Sequence, residues 1–136
     1  MGMNNYVLAV SNDDSLRHQV EGVINKFWAG KIALRNYSFQ EIERIPVQDA
    51  PVLCLVDLHE KFEALSKTIQ NITSLFSHSR IVGAGPSLDA QQILSFVKMG
   101  VKDFLEIPFS DEEFNVLLED LISAIKTDKI ASKFEK

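Results

Sequence analysis

The amino-acid sequence predicts an α/β fold: a three-layer sandwich whose five-stranded parallel sheet, in strand order 2-1-3-4-5, carries helices on both faces. Three observations point to it. Short apolar runs alternate five times with segments whose apolar residues recur at helical spacing, and such alternation implies right-handed crossovers between parallel strands. The third run, Val52-Leu53-Cys54-Leu55-Val56-Asp57, shows no alternation, as befits a central strand covered on both faces. The chain has 136 residues, close to the commonest domain size and able to bury about two-thirds of its unfolded surface.

The first strand is Tyr6-Val7-Leu8-Ala9-Val10, broken by Ser11-Asn12-Asp13-Asp14. Leu16, Val20, Val23, Ile24 and Phe27 then form one stripe of a first helix that reaches Trp28 and ends at Gly30. A weaker strand follows over 31–37. Ser38-Phe39-Gln40-Glu41 has the capping-box form and opens a short second helix to Ile45. After the third strand, Phe62, Leu65, Ile69, Ile72, Leu75 and Phe76 line one side of a third helix. Arg80 to Ala84 is the fourth strand, ending at Gly85-Pro86, and Leu88 to Met99 is the fourth helix, closed by Gly100. Asp103 to Glu106 is the fifth strand. Ser110-Asp111-Glu112-Glu113 is a second capping box, and Phe114, Leu117, Leu118, Leu121, Ile122 and Ile125 face inward from the fifth helix. The domain is expected to occupy residues 1–125. The lysine-rich Lys126 to Lys136 extends the last helix or links to a further domain. Five such units make the flavodoxin-like (βα)5 arrangement, whose crevice lies where strands one and three part. Ser11, Asn12 and Asp57 are expected to meet there, with Gly85 and Ile107 near the rim.

Composition narrows the function. The net charge is -5, and phosphate contact wants clustered Lys and Arg, so no nucleic acid is expected as a partner. No apolar stretch approaches the ~20 residues that cross a bilayer, so no membrane partner is expected. The N-terminus lacks the basic and apolar regions of a signal peptide, and the cytoplasm is the expected compartment. Cys54, the sole cysteine, reads as a small buried hydrophobe. No Gly-rich run ends in Gly-Lys-Ser/Thr, which speaks against nucleotide binding. His18, His59 and His78 lack ligand spacing, and no Ser/His/Asp or Cys/His set assembles.

The stretch Gly100-Val101-Lys102-Asp103-Phe104-Leu105-Glu106-Ile107-Pro108-Phe109-Ser110 resembles the last strand of a response-regulator receiver domain of the CheY-like superfamily. There a glycine, a small residue, an acid, an aromatic and then Lys-Pro-Phe are usual. Val56-Asp57-Leu58 and Ser15-Leu16-Arg17 agree with the end of the third strand and the opening of the first helix, and the resemblance covers Tyr6 to Ile125. It implies a module of two-component signal transduction. In receivers an acid pair after strand one holds magnesium and an aspartate after strand three accepts a phosphoryl group. A Thr or Ser after strand four and a lysine after strand five read that group out. The resemblance puts Asp57 at the phosphoacceptor position. Aligned through Ser15-Leu16-Arg17, the acid pair falls on Ser11 and Asn12, with Asp13 beside them. A shift of one residue would place Asn12 and Asp13 there, and a shift of two Asp13 and Asp14. The hydroxyl position falls on or next to Gly85 and the lysine position on Ile107.

Those departures bear on the chemistry. Magnesium needs oxygen ligands, preferably carboxylates, and Ser11 and Asn12 offer neutral oxygens. No metal ligand and no cofactor are expected, Mg2+ entering only if the acidic pair is intact. Phosphoryl transfer relies on cations to neutralise developing charge, and Ile107 supplies none. The expectation is an atypical receiver, not an enzyme and without catalytic residues, that phosphorylation does not switch. Asp57 is expected to remain as a relic bonded to nearby backbone N–H groups, with His59 exerting no influence on it. The resemblance also implies a cis bond between Ile107 and Pro108.

Receivers commonly meet partners through the fourth helix, fifth strand and fifth helix. Ile93, Phe96, Val97 and Phe104 are the candidate interface residues, with Lys98, Lys102, Asp103 and Glu106 as a polar rim, for a protein partner or a homodimer. Phe96 is expected either to be partly exposed at this face or to fill the core under the fifth helix. The Glu-Ile-Pro-Phe ending and missing acids are similar to the N-terminal receivers of tight-adherence pilus-assembly localisation proteins. Those carry a ParA/MinD-like ATPase domain after the receiver, which would imply a part in placing secretion machinery at the cell pole. The alternatives are a degenerate receiver of a sigma-54-dependent transcription activator, a conventional receiver phosphorylated on Asp57, and a small flavodoxin-like enzyme or cofactor binder.

Overall fold

A computed structural model describes residues 5–46, 49–77 and 79–134, with side chains as far as residue 123. His78, the inward position of Ile125 and the last two residues of the lysine-rich tail lie outside the described residues or side chains. The elements run β1 (Tyr6–Val10), α1 (Asp14–Phe27), β2 (Ala33–Tyr37), a 3-10 helix (Phe39–Arg44), β3 (Leu53–Asp57), α2 (Phe62–Leu75), β4 (Ile81–Gly85), α3 (Ala90–Met99), β5 (Val101–Glu106) and α4 (Asp111–Phe134). The predicted third, fourth and fifth helices are therefore α2, α3 and α4. All five strands pair in parallel, in the order β2-β1-β3-β4-β5, so the sheet has the topology the sequence predicts.

Strand alternation sorts the core into two layers. In β3, Cys54 and Val56 join a cluster with Leu65, Ile69, Ile72 and Phe96 under α2 and α3. Leu53 and Leu55 point the other way, towards Val20, Val23, Phe114 and Leu118 of α1 and α4. β1, β3 and β4 are buried at every position, which explains their unbroken apolar text.

Four details differ from expectation. The predicted second helix is six residues of 3-10 geometry. Its capping box forms, with Glu41 accepting from the Ser38 N–H at 2.8 Å. Pro46 then biases Ile45 out of helical conformation, and Ile45 sits extended at ψ 119°. β5 begins two residues early, because Val101 pairs with Ile81 before an irregularity in register. Phe62, the first residue of α2, is exposed although its stripe-mates Leu65, Ile69 and Ile72 are buried. Phe96, a candidate interface residue whose other reading is the core under the fifth helix, is buried in the layer of α2 and α3: it packs between the rings of Phe62 and Phe104, at centroid distances of 5.9 and 6.4 Å.

α3 is unusual in burying Phe96 alone. A capping box between Asp89 and Gln92 starts it, and Gly100, at φ 120°, ends it in a conformation that side chains disfavour.

Candidate functional site

The ends of β1 and β3 lie side by side, with Val10 opposite Val56, and this brings Ser11 against Asp57. The Ser11 hydroxyl donates to Asp57 Oδ2 at 2.7 Å. Both side chains are almost wholly buried, at 2% and 3% exposure. The other oxygen, Oδ1, accepts the main-chain N–H of His59 at 3.0 Å and stands 2.7 Å from His59 Nδ1. With the carboxylate ionised, which only accepts hydrogen bonds, this ring nitrogen is the donor in the tautomer that bears its proton there. Asp57 therefore has a donor on each oxygen, three in all, and every one belongs to the protein. His59 was expected to have no influence on Asp57. That expectation is corrected: an aspartate two residues earlier on a turn folds back onto the N–H of residue i+2, which carries the imidazole to the same oxygen.

The residues around this contact are committed elsewhere. Ser11 Oγ also accepts the N–H of Asp13 at 2.9 Å. The Ser11 carbonyl receives Nε and Nη2 of Arg17 at 3.0 and 2.5 Å. Asn12 does not join Asp57: its Oδ1 accepts the N–H of Phe39 at 3.1 Å and its amide reaches Glu60 at 3.4 Å. Asp13 caps α1, accepting from the Ser15 N–H at 2.9 Å, where it also complements the helix dipole. Asp14 begins the helix. Ser11, rather than an aspartate, is the residue facing Asp57. Among the described residues no three His, Cys, Asp or Glu side chains converge as a metal site would require.

The rim positions have their own geometry. Gly85 ends β4 under Leu58, and a Cβ added there would come within 2.9 Å of Leu58 Cβ. A hydroxyl-bearing side chain thus cannot be introduced at position 85 without displacing the β3–α2 turn. Ile107 donates its N–H to the Gly85 carbonyl at 2.7 Å, and its side chain packs against the α1–α4 layer. The Ile107–Pro108 bond is cis. Gln19 of α1 secures the following segment, donating to the Phe109 carbonyl at 2.6 Å.

At the predicted interface, Ile93 and Val97 are exposed at 38% and 47%, and Phe104 is half-buried. Leu94, not singled out from the sequence, is exposed at 53%. It adjoins Ile93 and Val97 on the outer side of α3, and its spacing marks it as part of one apolar stripe with them.

The fold is that of CheY-like response-regulator receivers. No protein-family model and no curated protein sequence matches the chain. Among solved structures it is similar to a protein described as pilus assembly protein cpaE of Burkholderia thailandensis, at 18% identity and TM-score 0.70, covering 88% of this chain and 98% of that one. It is similar to a CheY-like protein, tadZ, of Pseudomonas aeruginosa PAO1, at 17% identity and TM-score 0.70 over 87% and 99%. It is also similar to a response regulator of Thermotoga maritima, at 20% identity and TM-score 0.75 over 89% and 99%. At such identities the likeness is one of fold.

Proposed function

We propose that this chain is an atypical receiver: a signalling module that works through protein–protein contact and is not switched by phosphorylation of Asp57. The observation that carries the reading is the set of three donors on the Asp57 carboxylate. In a working receiver a cation offsets the charge gathered at this point. Here Ser11 and His59 donate to it instead, so the carboxylate is stable without an ion and both oxygens are engaged. A phosphoryl group on Asp57 would have to displace those donors, and Ile107 and Gly85 offer neither charge nor hydroxyl to hold it. Magnesium finds one carboxylate where it prefers several.

On this reading the chain is not an enzyme, takes no cofactor, binds no nucleic acid and works in the cytoplasm. Its contact face is the edge formed by α3, β5 and α4. Ile93, Val97 and Phe104 give apolar area there, and Lys98, Lys102, Asp103 and Glu106 supply its polar rim. The similarity to proteins described as cpaE and tadZ supports a finer reading, that the domain is the N-terminal part of a pilus-assembly localisation ATPase. A conventional phosphoacceptor role is the second reading, favoured by the retention of an aspartate at the end of β3.

Titration with beryllofluoride and magnesium, followed by amide NMR and paired with mass spectrometry after acetyl phosphate, separates the two. The first reading expects no saturable change around Asp57 and no stable adduct at ordinary magnesium levels. Saturation of the domain would establish the second.

A further inference from the structure

The four residues from Asp57 to Glu60 serve two places in turn. Asp57 and His59 meet each other beside the end of β1, whereas Leu58 and Glu60 line a groove between the start of α2 and α3. The groove has a volume of about 440 Å³, within the range of pockets that hold a ligand or several side chains. Leu58, Phe62, Leu65, Leu88 and Phe96 form its apolar wall. Two carboxylates, Glu60 and Asp89, stand among its polar lining, which includes no lysine or arginine.

Phe62 is 55% exposed at this groove, the most exposed of the chain's large apolar side chains among the described residues. Its ring contacts Phe96 below and leaves the rest in water. An apolar trough flanked by two carboxylates, with no cationic side chain in its lining and an aromatic ring in reach of solvent, is complementary to apolar side chains that arrive with cations. The α3 side is lined by Leu88, just before the helix, and then by Gln91, Gln92, Ser95 and Phe96, under two turns of helix, a length over which a docked segment presents two or so anchoring side chains.

We propose that this groove is a docking site for a basic amphipathic helical segment of a partner protein, with Leu or Phe at helical spacing along one face and Lys or Arg flanking them. The proposal rests on the chain being a protein-contact module, but it places a contact on the opposite side of α3 from the β5 edge. Apolar side chains of the partner enter between Phe62 and Leu88, and its cations pair with Glu60 and Asp89.

The test uses the full chain, labelled for amide NMR, with two synthetic helical peptides as probes: one of leucine and lysine, the other with glutamate in place of lysine. The expected result is saturable binding of the lysine peptide, with the largest shifts at Leu58, Phe62, Gln92 and Ser95. The glutamate peptide is expected to bind about tenfold more weakly or worse. Phe62→Ser, Glu60→Lys and, on the opposite wall, Gln91→Arg are each expected to weaken the lysine peptide by about tenfold. Phe62 and Gln91 are exposed, so those variants keep the fold. No saturable binding, equal binding of both peptides, a footprint at the β5 edge, or affinity indifferent to all three substitutions would each overturn the proposal. A chain that ignores both beryllofluoride and the lysine peptide refutes the groove and leaves the phosphorylation-independent reading standing. A chain that responds to both does the reverse.

Discussion

The Ser11 hydroxyl meets Asp57 Oδ2 across 2.7 Å, joining the end of β1 to the end of β3 where both side chains are cut off from water. A charge held in that position is tolerable because each of its oxygens has a donor.

Removing a donor therefore has a cost that follows burial. Ser11→Ala leaves Oδ2 buried and unmet, and is expected to lower stability by about 1–3 kcal/mol. His59→Ala removes a half-exposed ring while the main-chain N–H stays on Oδ1, and is expected to cost about 1 kcal/mol or less. Urea unfolding of the two variants checks the ranking; a larger loss for His59→Ala would contradict it.

Leu58 explains two glycines of β4, and in different ways. A Cβ on Gly85 meets Leu58 Cβ at 2.9 Å, whereas a Cβ on Gly83 meets Leu58 Cδ1 at 2.7 Å. Gly85→Ser is expected to destabilise by about 1–3 kcal/mol through overpacking, and Gly83→Ala by less, since it meets the free end of the Leu58 side chain. Shortening the side chain with Leu58→Ala should relieve Gly83→Ala and leave Gly85→Ser unrelieved, since alanine keeps its Cβ. A double-mutant cycle measures the difference as coupling at one position and additivity at the other.

How much of this was legible in the sequence differs from residue to residue. The strand order followed from the alternation of Tyr6–Val10, Val52–Asp57 and the rest with helical stripes, since period and crossover handedness leave few topologies. Asp57 was legible because it ends an unbroken apolar strand. His59 was not: a turn has no period, and its contact with Asp57 depends on a bond from residue i+2. Asp13 was left open because register over Ser11-Asn12-Asp13-Asp14 is decided by which residue caps α1, a matter of backbone conformation. Phe96 falls in the right helix, with its exposure left open between interface and core. Spacing marks an apolar stripe, here Ile93, Leu94 and Val97, but does not say whether the core lies under it or under its neighbour.

Cys54 should be chemically silent in the folded chain. It is fully buried in β3, and burial pushes its thiol up to about 12, against a smaller opposing effect from a hydrogen bond with Ser79. A disulfide reagent at pH 8 is expected to leave it unmodified until denaturant is added. Rapid reaction in native buffer would show that β3 opens.

Thr68 offers a test of opposite sign. Its hydroxyl is buried in α2 and has no hydrogen-bond partner among the described residues. Thr68→Val replaces the hydroxyl with a methyl group of similar size, and is expected to leave stability unchanged or raise it by about 1 kcal/mol. A loss measured by thermal unfolding would mean that the hydroxyl is satisfied.

The most direct measurement concerns whether donors stand in for an ion at Asp57. Ser11→Asp sets a second carboxylate beside the first, where like charges in a buried site repel. In the presence of a chelator the variant is expected to be less stable than the natural chain by about 2 kcal/mol. Magnesium should restore it while leaving the natural chain's melting temperature unchanged. A natural chain that is itself stabilised by magnesium, with the effect abolished by Asp57→Asn, would contradict the claim.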